Sequence, residues 1–183
     1  MRRKIDGNHP IRQFFNEALH ESFCDRLGLS NDEDVINYLE DMLVTFLHDD
    51  RIYSVKDAFG HRIESVAEMM LEGDIRYNAD SFDREREVHK HIGDFVMFWS
   101  GLFPEHLMQL KAPGSKDFMV DYTKQGKFSY HVVSTFEHSP YEDEAETFRK
   151  LSSAFEKYRY GLSLVRASFE GFALQGWTNG FEA

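Results

Sequence analysis

The stretch GDFVMFWSGLFPE, Gly93 to Glu105, decides the fold. From Phe95 the chain is apolar on every face of a helix, so that helix must be covered on all sides. The run is far short of the ~20 residues a membrane-spanning helix needs. The cover therefore has to come from other parts of the same molecule. Phe103 precedes Pro104, which pushes it out of the α region and predicts a helix end near Gly101. Asp94 sits at the edge of this run. A carboxylate beside so apolar a surface needs a partner.

Upstream, the same helix is predicted to begin near Phe82, with Asp80 or Ser81 as its cap. Val88, Ile92, Phe95, Val96 and Trp99 share one face at helical spacing. Arg84, Glu87, His91 and Asp94 fall at i, i+3, i+7 and i+10, along one edge beside that face. Downstream, Pro104-Glu105 opens a short helix to about Leu110.

The flanking segments read as helices too. Pro10 to about Leu27 carries Ile11, Phe14, Phe15, Ala18, Leu19 and Phe23 on one side, with Asn8 or His9 ahead of a proline suited to the first helical position. Ser30 and Glu33 have the spacing of a capping box, and a helix follows to about His48. Residues 51–63 break the pattern: Ile52, Val55 and Ile63 flank Lys56-Asp57-Ala58-Phe59-Gly60, which predicts a small β-hairpin. A short helix spans Ser65 to Glu72. Residues 116–136 read as helix with a weak point at Gly126, where a missing side chain permits close packing. Ser139, Pro140 and Glu142 read as the start of the longest helix. Its seam, Phe148, Leu151, Phe155, Tyr158, Leu162, Val165, Phe169 and Phe172, steps 3-4-3-4-3-4-3. The expectation is one all-α domain over 1–183, a bundle of six or seven helices with a hairpin near 51–63 and a loose tail from about 174.

Composition limits the functions open to such a bundle. The 183 residues include 17 Phe, 8 Tyr and 2 Trp, only 4 Pro and 12 Gly, and carry a net charge of −11. So acidic a surface repels phosphate backbones and anionic lipid, which argues against nucleic acid and membrane as partners. A lone cysteine, Cys24, excludes an internal disulfide and any multi-cysteine metal site. MRRKIDGNHPIRQFF lacks the apolar stretch of a secretory signal, so a cytoplasmic location is expected.

Three stretches, SVAEMMLEGDIRYN, REREVHKHIGDFVMFWSGLFPE and DYTKQGKFSYH, resemble a family of bacterial helical domains over about Ile63 to Gly161. The resemblance implies an all-helical bacterial domain and no particular activity.

Two constellations carry candidate chemistry. Glu17-x-x-His20 has the spacing used in carboxylate-bridged di-iron bundles. It occurs once, however, and Gln13, Glu17, His20 and Cys24 face away from the Phe15/Ala18/Leu19 stripe, as a solvated face does. Glu87, His91 and Asp94 are better placed to ligate a divalent metal, with His131 or His138 as a further ligand. The same residues also suit a polar boundary network, in which Arg84 pairs with Glu87 and Asp94 accepts hydrogen bonds from His91 or from a Lys or Arg on another helix. Asp94, His91, Tyr130 and His131 are the candidates for acid–base work. Three readings follow in order: a helical module that binds or regulates another protein, as monomer or homodimer, without a cofactor; a metal-dependent enzyme built on Glu87, His91 and Asp94; and a bundle holding an apolar small molecule near Phe98, Trp99 and Phe128.

Overall fold

The computed structural model describes residues 9–169. They form α1 (Pro10–His20), continued by a π-helical turn over Glu21–Arg26, then α2 (Glu33–Thr45), α3 (Asp49–Ile52), α4 (Val66–Glu72), α5 (Phe82–Leu102), α6 (Pro104–Leu110), α7 (Tyr122–Ser134), α8 (Glu142–Ser153) and α9 (Phe155–Phe169). The chain is all-helical, and the described residues contain no β-strand.

The central helix is α5. Every residue from His91 to Trp99 is buried, because α7 and α9 pack along it while α4 and α6 cover its ends. The Ser81 hydroxyl caps it by accepting from the Arg84 amide. Two glycines let α7 come close. A β-carbon on Gly93 would lie 2.5 Å from the Tyr130 ring, and one on Gly126 would lie 2.7 Å from Phe155. The glycine that weakens α7 as an isolated helix thus makes room for an aromatic ring from α9.

Four local expectations are overturned. The predicted hairpin near 51–63 is instead the short α3 followed by a loop with a single antiparallel bridge, Lys56 to Arg62. There the Asp57 carboxylate accepts from the amides of Phe59 (2.9 Å) and His61 (2.8 Å), and Gly60 turns the chain at φ 85°. This tightens the loop before a ladder can extend, and no third strand supports one. The Ser30/Glu33 box does not form. α2 starts after Asp32, which accepts from the Tyr158 hydroxyl at 3.0 Å. The helix expected from 116 starts only at Tyr122, capped by Asp121.

The fourth concerns the last helix. It begins at Glu142 rather than at Pro140 and breaks at Ala154, giving nine α-helices among the described residues instead of six or seven. The Ser153 hydroxyl donates to the Lys150 carbonyl in the last turn of α8, where it competes with the helical pattern, and Ser152 donates to the Lys127 carbonyl, tying this end to α7. The seam still runs through the break: Phe148, Leu151, Phe155, Tyr158, Leu162 and Val165 are all buried. Phe172 and the tail expected to be loose lie outside the described residues.

Asp117 was not singled out by any sequence pattern. It is 1% exposed and ties the loop before α7 to the start of α4. One oxygen accepts from the Ser65 hydroxyl (2.7 Å) and the Ala67 amide (2.8 Å), the other from the Val66 amide (3.0 Å) and the Tyr122 hydroxyl (2.9 Å). The first amides of α4 are thereby satisfied from a residue far along the chain.

Candidate functional site

Asp94 is 5% exposed and lies where α2, α5 and α7 meet. One carboxylate oxygen accepts from the Tyr38 hydroxyl of α2 at 2.5 Å and from the Tyr130 hydroxyl of α7 at 2.9 Å. The other accepts from the Lys90 ammonium, one turn earlier on α5, at 3.1 Å. Lys90 also stands 4.9 Å from the centre of the Tyr38 ring, a cation–π distance. Burial, and then the nearby Asp94 charge, push both phenols well above their ordinary value, so both keep their protons and remain donors.

His91 does not join this cluster. Its Nδ1 faces the Ser54 hydroxyl at 3.2 Å, and its Nε2 is buried and makes no hydrogen bond of normal geometry. Burial lowers its affinity for a proton, with the Asp94 charge opposing. Glu87 is largely exposed, 4.0 Å from Arg84. Glu87, His91 and Asp94 line one cleft of about 350 Å³ between the end of α2, the 51–55 segment and α5. No three His, Cys, Asp or Glu side chains among the described residues are grouped to hold a metal ion. His131 and His138 are exposed, and no contact joins either to Asp94. On α1, His20 bonds the Asn16 carbonyl (2.8 Å) and Glu33 (3.3 Å).

A second buried polar group went unnoticed in the sequence. His89 is 6% exposed, and its Nδ1 lies 3.1 Å from the Ser129 hydroxyl, which accepts from the Gln125 amide at 3.0 Å. The tautomer of the imidazole sets whether Nδ1 donates to that hydroxyl or accepts from it. Ser129 is fully buried, so this pair does not present a nucleophile to a substrate. The signal was present: His89 and Ser129 both fall on the inner faces of their helices.

Burial lowers the His89 pKa from 6.5 to about 4. The unfolded chain takes up this proton near 6.5 and the folded one only near 4. The contribution of His89 is thus fully present above 6.5 and is lost as pH falls to about 4, amounting to roughly 3 kcal/mol. Urea denaturation across that range is expected to show stability falling with pH. His89→Gln should flatten the slope without abolishing it, because His91 shifts in the same direction. An unchanged slope would show that His89 is not the group responsible.

The third feature is a groove of about 570 Å³ between α4, the 116–121 segment and α7, lined by Met70, Leu71, Tyr77, Met119 and Phe128 among others. Phe98 and Trp99 do not share it. They are buried in the core against Phe46, Phe103 and His106, while Phe128 is 54% exposed.

Among the described residues, fold and site define an all-helical bundle closed around a carboxylate–tyrosine cluster, with a polar cleft and an apolar groove at its surface. No family model matches the chain, and neither does any curated protein or solved structure. No helix among the described residues is long and apolar enough to cross a membrane.

Proposed function

We propose that this chain is a helical module that binds another protein, and that the groove between α4 and α7 receives it. The observation that carries this reading is the cluster of large apolar side chains left in water around one concavity. Met119 is 86% exposed, Tyr77 68%, Phe128 54% and Leu71 49%. Grouped apolar exposure of this kind marks interaction surfaces, whereas single exposed residues do not. The charges at the rim are already engaged: Lys116 with Glu68, Lys124 with Asp121, and Arg76 with Asp74. The groove thus selects a partner by apolar anchors more than by charge. Met70 and Met119 suit it to a segment presenting Leu, Met or aromatic side chains, since methionine adapts its shape to what it meets.

Affinity capture with the full chain and with Phe128→Glu tests this. The expected result is a protein retained by the wild type and lost by the variant, with both melting at the same temperature. Identical capture profiles would overturn the reading.

A further inference from the structure

The cleft lined by Glu87, His91 and Asp94 has a second property, independent of the groove. Arg51, Arg84 and Lys90 also line it. Three cations around one cleft of about 350 Å³ stand out on a chain whose net charge is −11. The two acids offset two of them, Asp94 pairing with Lys90 at 3.1 Å and Glu87 standing 4.0 Å from Arg84, which among the described residues leaves Arg51 as the unpaired cation. Asp94 is saturated by two phenols and Lys90, and Glu87 reaches outward, with 72% of its side chain exposed. Among the described residues the Arg51 guanidinium has no ion pair or hydrogen bond. Arg84 spends one nitrogen on the Lys56 carbonyl at 3.2 Å.

His91 adds a separate observation. It is 9% exposed, it lines this cleft, and its Nε2 makes no hydrogen bond of normal geometry, although the ring also interacts with the Ile52 backbone. A buried polar nitrogen without a well-formed partner is costly. The Ser54 and Thr45 side chains supply hydroxyls in the same wall, and Phe46, Val55 and Val88 supply an apolar one.

We propose that this cleft binds a small organic oxyanion, a phosphate monoester or carboxylate, with its charged end toward Arg51 and Arg84, its body against Phe46 and Val88, and His91 beneath it. Guanidinium groups suit both oxyanions because they donate in a planar fork. The volume lies at the small end of ligand sites, which fits a metabolite and not a polymer.

The test is calorimetric titration of the full chain with inorganic phosphate, phenyl phosphate and benzoate at low ionic strength, with sodium chloride as control. Saturable binding of an oxyanion at one site is expected, weakened about tenfold or more by Arg51→Ala, the loss of one charge-assisted contact. Phenyl phosphate binding more tightly than inorganic phosphate would show that the apolar wall takes part, and the benzoate arm separates carboxylate from phosphate. Arg51 is exposed and unpaired, so Arg51→Ala should melt like the wild type. The His91 ring resonances should move on titration, while Lys124→Ala, in the groove, should leave the affinity unchanged. Unsaturable uptake, equal affinity for chloride, or binding indifferent to Arg51→Ala would overturn the proposal.

Discussion

Asp94→Ala is expected to destabilise the protein by about 3–5 kcal/mol, the cost of breaking a buried charged cluster by removing one side. The substitution strands three donors at once. The Tyr38 and Tyr130 hydroxyls lose their shared acceptor, and Lys90 loses its partner one turn away. Tyr130 cannot swing aside to find water, because its ring is fully buried and wedged against Gly93. Asp94→Asn should cost less, since an amide oxygen still accepts from a phenol. His20→Ala on α1 serves as control: the imidazole is partly exposed and its bond to Glu33 is long, so stability should change by about 0.5 kcal/mol or less. Thermal and urea denaturation of the three variants give the comparison. An Asp94→Ala protein as stable as the wild type would show that the carboxylate is not what ties α2, α5 and α7 together.

Phe155→Ala should cost a similar amount, about 3–5 kcal/mol, for a different reason. Phe155 is fully buried at the first turn of α9, filling the space that Gly126 leaves on α7 and lying 6.0 Å from the Tyr130 ring. Removing it opens a cavity among three helices that glycine and tyrosine cannot close. Because its neighbours all belong to the same chain, the oligomeric state should not change. Sedimentation before and after the substitution, beside a denaturation curve, separates the possibilities. A shift in oligomeric state with stability intact would make the heptad seam an interface between chains.

The helical identity of the long segments was legible because apolar residues recur at helical spacing and breakers are few. The burial of His91 to Trp99 followed from apolar residues on every face. What periodicity could not reveal was how the ends of elements close. Ser30, Ser139 and Pro140 each had a residue type suited to a helix start, yet α2 and α8 begin elsewhere. A cap is worth only about 1 kcal/mol, and a tertiary contact such as Tyr158 to Asp32 competes on equal terms. The 51–63 hairpin failed for a related reason: β-branched residues flanking a turn are as well used by a loop packed on helices as by a ladder.

By itself, the sequence determined that this chain is an all-helical bundle built around a buried helix at Gly93 to Leu102, and that Asp94 must be paired. Those conclusions rest on local period and on the cost of burying a charge, both readable from neighbours along the chain. The partners of Asp94, the Asp117 anchor under α4 and the grouping of Met70, Tyr77, Met119 and Phe128 around one groove were decided only by tertiary structure. Each joins residues on different elements, Tyr38 to Asp94 across 56 positions and Ser65 to Asp117 across 52. Helical spacing says which face a side chain occupies. It carries no information on which other face packs against it, because many pairings of apolar stripes bury similar area, and shape, glycine placement and polar satisfaction select among them.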